Sequence, residues 1–151
     1  MPVAVIDRQR RVTLPVARLV RTGQRALDAL GRPEGEVDVA VVDDVEIRSL
    51  NAAHRGVERR TDVLAFPLEL RGAASGLFGQ VVISADTAAR QARRVGVPLA
   101  LELELLTTHG ILHLAGYDDR DPVEADLMHR RARDLLGAEV SARLWKGLLR
   151  V

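Results

Sequence analysis

Two histidines, His109 and His113, stand four residues apart in an apolar stretch, Leu99–Leu114, that reads as a helix. Side chains at that spacing project from one helix face a turn apart, so both imidazoles can reach one ion. A helix supplies two nitrogen ligands to zinc in this way. Cysteine is absent and the only other histidines are His54 and His129, so a metal site here must draw on His, Asp and Glu. His113 is followed by Leu114-Ala115-Gly116-Tyr117-Asp118-Asp119. Gly116 can take the left-handed conformation that ends a helix and reverses the chain, which returns Asp118 or Asp119 to the helix end. Two His and one carboxylate with an open position for water form a catalytic zinc set, although Asp119 can equally cap a helix before Pro122. His129, on the next helix, is a further candidate donor or simply a solvated polar residue. The residue after the first histidine is Gly110, where the HExxH pattern of metallopeptidases has a glutamate as general base. Peptide hydrolysis by that route therefore lacks its base.

The elements that must position these residues follow from the hydrophobic pattern. Strands are predicted at Val3–Ile6, Val37–Val42, Thr61–Phe66 and Gly79–Ser84, and the stretch Gly72–Gly76 turns the chain into the last of them. Helices are predicted from Pro15 to Leu30, from Asp43 or Asp44 to Ala53, from Asp86 to Val95 and over Leu99–Leu114. Two more are predicted from Asp121-Pro122 to Leu136 and over Ser141–Leu149. Strands in the first half and helices in the second predict an α/β (α+β) fold. It has one small mixed sheet of about four strands packed on helices, with the metal site at the end of a helix in the C-terminal half. With 151 residues, 47% of them hydrophobic, and neither a linker nor a repeat, residues 1–151 read as a single domain.

Net charge is +1, which excludes a protein that coats nucleic acid by bulk electrostatics but not one with a local basic patch. Residues 1–32 hold seven arginines against two aspartates, and residues 33–53 hold one arginine against six acidic residues. The two segments either pack as neighbours that offset each other or leave a basic docking face. Arg55, Arg59 and Arg60 make the loop before the third strand locally basic, able to track an RNA backbone or to pair with Glu58 and Asp62. Every basic residue but Lys146 is arginine, which suits bidentate phosphate recognition and equally follows from genome composition. The four aromatics, Phe66, Phe78, Tyr117 and Trp145, are too few for extensive base stacking. The N-terminus has no signal-peptide pattern and no run reaches the length of a membrane span, so no membrane role and a cytoplasmic location are expected.

His109-Gly110-Ile111-Leu112-His113-Leu114-Ala115-Gly116-Tyr117-Asp118 closely resembles the signature of the YbeY family of metal-dependent endoribonucleases. Two further stretches resemble that family's other motifs. One is Leu50-Asn51-Ala52-Ala53-His54-Arg55-Gly56 with Thr61-Asp62-Val63-Leu64-Ala65-Phe66-Pro67, and the other is Phe78-Gly79-Gln80-Val81-Val82-Ile83-Ser84. The resemblance spans nearly the whole chain. It implies a site for one transition metal ion, Zn2+ first among them, held by His109, His113 and the residue at position 119. There this chain has Asp119 where the family usually has histidine. It also has Ala65 where the family commonly has serine and Gln80 where it commonly has aspartate. An anionic ligand lowers the net positive charge at the metal, so bound water should acidify less than at a three-imidazole site.

The activity implied is single-strand-preferring endonucleolytic cleavage of RNA, in rRNA maturation and in ribosome assembly and quality control. A metal-activated nucleophile would attack, and Arg55 would stabilise charge on the phosphoryl oxygens. Arg55, Arg59 and Arg60 are the implied and expected RNA contacts, and His54, beside Arg55 in sequence, could move a proton. The expected partners are RNA of the small ribosomal subunit and ribosome-associated proteins. A second reading is a ribosome-assembly binding factor whose metal serves structure more than catalysis. A third, a non-haem iron oxygenase, shares the two-His-one-carboxylate set but lacks an evident cosubstrate site.

Overall fold

Val37, Val39, Val41 and Val42 form a run of β-branched residues that fits a strand covered on both faces, and around it the sheet is built. The computed structural model describes residues 3–53, 58–59, 63–67, 78–116, 122–123, 126 and 130. Five strands, β1 (Val3–Asp7), β2 (Glu36–Val42), β3 (Glu58–Arg59), β4 (Val63–Pro67) and β5 (Phe78–Ser84), lie in the order β1-β2-β5-β4-β3. β1, β2 and β5 run parallel, while β4 is antiparallel to β5 and β3 to β4. The two-residue β3 is the one strand that the hydrophobic pattern does not mark. Two residues are too few to show a period.

Among the described residues four helices cover the sheet: α1 (Val16–Ala29), α2 (Asp44–Ala53), α3 (Ala85–Val95) and α4 (Leu99–Leu114). Their bounds lie within a residue or so of the predicted ones, and those of α4 coincide with them. Register divides the two faces. Ala40, Val42, Leu64 and Val82 pack under Ile47 and Leu50 of α2. Val37, Val39, Val63, Ala65, Val81 and Ile83 point the other way, into the larger core with α1, α3 and α4. α4 has buried residues on every side, as expected for a helix apolar all round. No single helix among the described residues is long and apolar enough to cross a membrane. Residues 122–123, 126 and 130 are helical, with an ion pair between Asp126 and Arg130, in line with a helix starting at Asp121-Pro122. The rest of that helix and the one predicted over Ser141–Leu149 lie outside the described residues.

The basic and acidic segments do become neighbours, because β1 pairs with β2, yet they neutralise each other only in part. Arg8 meets Glu46 at 2.7 Å, whereas Arg11 reaches Asp86 at 3.4 Å and Arg18 reaches Glu104 at 2.6 Å. Arg10, Arg21 and Arg32 are exposed.

At the C-terminal ends of β2 and β5 a polar knot joins α2 to α3. The Asp44 carboxylate accepts from Ser84 Oγ at 2.5 Å, Thr87 Oγ1 at 2.7 Å and Arg90 at 2.8 Å, while its backbone N–H donates to Asp86. Burial raises the Asp44 pKa, but the hydrogen bonds from Ser84, Thr87 and Arg90 and the Arg90 charge outweigh it and hold it at about 2, below the ordinary 3.8. A carboxyl depressed by folding contributes stability that is complete above its unfolded value and is lost as pH falls through its folded value. Chemical denaturation should therefore show stability declining between about pH 4 and pH 2. Asp44→Asn should be less stable at neutral pH and show a flatter acid limb. An unchanged acid limb would remove Asp44 from the balance.

Candidate metal centre

α4 runs antiparallel to β5, and its last turns carry both histidines. Leu114 lies over Gly79 at the start of the strand, and Gly110 lies over Val81 further along it. His109 is fully buried and His113 partly so. Their rings meet edge to face with centroids 4.4 Å apart, and the two Nε2 atoms approach to 2.7 Å. At that distance the two nitrogens meet as hydrogen-bond partners, with the donor set by the ring tautomers. Two nitrogens on one tetrahedral zinc, each at about 2.0–2.1 Å, stand roughly 3.3 Å apart. A small side-chain rotation turns the contact into a pair of nitrogen donors. The pair fits a metal ion in charge as well. It sits at the C-terminal end of α4, where the helix dipole favours a cation.

Beyond His113 the helix ends at Ala115, whose N–H donates to the Ile111 carbonyl oxygen, and Gly116 follows with φ +102°. That positive φ is the left-handed conformation expected of this glycine. Asp118, Asp119, Tyr117 and His129 lie outside the described residues, as do His54, Arg55 and Arg60. Among the described residues no third His, Asp or Glu joins the pair. Of the basic loop, the backbone of Arg59 is placed in β3, opposite Leu64.

The two departures on the strands fall on different faces of the sheet. Ala65 pairs with Val81 and is buried on the face that carries α4. Gln80 is partly exposed on the α2 face, in register with Asp38 and Phe66. Only the first therefore borders the helix that bears the histidines.

Gly110 shows why the peptidase base is missing. A Cβ at this position would lie 2.4 Å from Val81 Cγ1 and 2.9 Å from Cγ2, so no side chain fits there, let alone a glutamate. In the sequence Gly110 reads as an absent base, whereas the helix–strand contact is what requires the glycine. Sequence reasoning also missed the polar clamp between α1 and α4. Glu104, nearly buried, accepts from Thr22 Oγ1 at 2.6 Å and pairs with Arg18. A carboxylate within a leucine-rich helix was the available signal for it.

An α/β domain whose buried core helix ends in two converging imidazoles is the class that fold and site define together. The family model described as Endoribonuclease YbeY matches residues 5–138. Curated relatives named Endoribonuclease YbeY include one from Anaeromyxobacter sp. (strain Fw109-5). It is 45% identical over 134 residues, covering 87% of this chain and 70% of the relative. Another, from Syntrophotalea carbinolica, is 38% identical over 141 residues, covering 91% and 92%. A third, from Aquifex aeolicus, is 39% identical over 127 residues, covering 84% and 85%. The solution structure of a Thermotoga maritima protein shares the fold, with a TM-score of 0.55 at 23% identity over 98% of this chain and 92% of that one. The chain belongs to the YbeY endoribonuclease family. It is an endoribonuclease, a hydrolase whose substrate is RNA.

Directly before the pair, Thr108 is fully buried and its Oγ1 has no hydrogen-bond partner among the described residues. Burying a hydroxyl in that way costs about 1–3 kcal/mol. Thr108→Val keeps the shape and should raise the thermal midpoint. A fall would show that the hydroxyl is engaged in the folded protein.

Proposed function

We propose that this chain cleaves single-stranded segments of ribosomal RNA during maturation and quality control of the small subunit, using one transition metal ion, Zn2+ first. The proposed holders are His109, His113 and Asp119, on one domain spanning residues 1–151 that works in the cytoplasm. The observation that carries the reading is the 2.7 Å approach of the two Nε2 atoms on the last turns of a buried helix. Membership of an endoribonuclease family supports catalysis over the alternative of a binding factor with a structural metal.

When bound, the metal supplies Lewis acidity toward a phosphoryl oxygen or water. The chain's own part is positioning and charge. His109 and His113 offer neutral imidazole nitrogens from a helix held by its packing on every side. A carboxylate at position 119 leaves one positive charge fewer at the site than a third imidazole would. Arg55 is assigned the charge that accumulates on the phosphoryl oxygens during cleavage, for which its planar fork is suited. Arg59 and Arg60 extend the basic track along the RNA backbone, and ribosome-associated proteins are the expected partners.

Protein purified without a metal-affinity tag should carry about one transition metal per chain by elemental analysis, and His109→Ala and His113→Ala should lose it. Unchanged metal content in those variants would refute the site. Arg55→Ala should keep the metal and cut a structured RNA about 10²-fold more slowly, the usual cost of losing one transition-state donor. Undiminished cleavage would take Arg55 out of the reaction. Asp119→His should bind metal more tightly, and Asp119→Ala with wild-type affinity would exclude position 119 as a ligand.

A further inference from the structure

The seat of α4 on β5 is made of two reciprocal contacts. At the first the helix has no side chain, Gly110, where the strand has Val81. At the second the strand has no side chain, Gly79, where the helix has Leu114. A Cβ on Gly79 would stand 2.6 and 2.8 Å from the Leu114 δ-carbons and 3.0 Å from the Phe66 carbonyl oxygen. The contacts are four residues apart on the helix and two apart on the strand. Those steps are about 6 Å and about 6.6 Å long, so both contacts close together. Ordinary contact for a Cβ begins at 3.4 Å, so an alanine at 110 would have to lift the helix or push the valine by about 1 Å. Sliding α4 back or forward by a turn would bring Leu106 or Leu114 against Val81 instead of the glycine, so the seat accepts one register and one depth.

Each histidine immediately precedes a contact residue, His109 before Gly110 and His113 before Leu114. We infer that this double seat is a positioning device for the metal site, in which Val81 and Gly79 set the depth and register of the two imidazoles. The inference rests on the histidine pair being metal ligands. The donors ride on α4, so a shift of the helix against β5 carries both imidazoles with it relative to the sheet. Gly110 and Val81 are thus positioning residues, acting through the histidines.

The test is Zn2+ affinity by competition with a chromophoric chelator, together with the visible spectrum of the Co2+-loaded protein, which reports coordination geometry. Gly110→Ala should weaken Zn2+ binding about 10–100-fold, the range typical of residues that orient ligands, and alter the Co2+ spectrum. Val81→Ala removes the depth stop and leaves a cavity, so it should lower the thermal midpoint and also weaken Zn2+ binding, though less than Gly110→Ala does. The double variant Gly110→Ala/Val81→Ala should recover affinity while remaining less stable than wild type. A folded Gly110→Ala protein with wild-type affinity and spectrum, or a double variant without recovery, would overturn the inference. So would an affinity that merely follows stability through the series. If Gly110→Ala does not fold, Gly79→Ala carries the test, because its Cβ meets both the Leu114 δ-carbons and the Phe66 carbonyl oxygen and so presses on the helix from the strand side. It should lose affinity and regain it with Leu114→Ala, and no loss would refute the device. His109→Ala and His113→Ala separate the two failures. Wild-type Zn2+ binding in those variants refutes the ligand assignment itself, whereas their loss of binding beside a normal Gly110→Ala refutes only the positioning.

Discussion

Everything near the histidines depends on how closely one helix can approach one strand. α4 is buried on all sides, so its place is set by packing and not by its own ends. Against β5 that packing is closer than any side chain would allow, because a glycine stands opposite Val81 on the helix and another opposite Leu114 on the strand. On its other flank Ile111 approaches Gly23 of α1, which itself lies on Val3. Close-packed interiors transmit small displacements instead of absorbing them. The two imidazoles therefore inherit the rigidity of the sheet.

Polar contacts do a different task, tying together elements that are distant in sequence. Glu104 brings Arg18 and Thr22 onto α4 from a helix more than 80 residues earlier, and it does so nearly out of solvent. Asp44 gathers Ser84, Thr87 and Arg90 at the opposite end of the sheet from the histidines. A carboxylate satisfied by several donors in this way favours one arrangement of neighbours, because any other leaves a charge without its partners. The two clusters clamp α1 to α4 and α2 to α3.

Much of this was legible in the residues. α4 was readable to its bounds because seventeen mostly apolar residues stand between Pro98 and Gly116. The strands were readable from β-branched runs, and the histidine pair from its spacing. What escaped depends on facts that no local pattern carries. Gly110 has the same appearance whether it lacks a catalytic base or makes room for a valine 29 positions earlier. Ala65 and Gln80 look like equivalent departures until register sends one to the α4 face and the other to the α2 face. The charge asymmetry of the first 53 residues suggested mutual neutralisation, but two of the three ion pairs formed by Arg8, Arg11 and Arg18 reach acids on α3 and α4.

Strand order has a consequence for the order in which the chain can be made. β5 is flanked by β2 on one side and β4 on the other, so the middle of the sheet is supplied last among the described strands. A nascent chain that has emerged only through residue 53 holds β1, α1 and β2 with one long valine-rich edge bare, an edge of the kind that invites pairing with other chains. The strand that closes that edge is the same one that receives the histidine helix. Completion of the sheet during synthesis and readiness of the site for α4 are therefore a single event, and an unfinished sheet cannot carry a finished site.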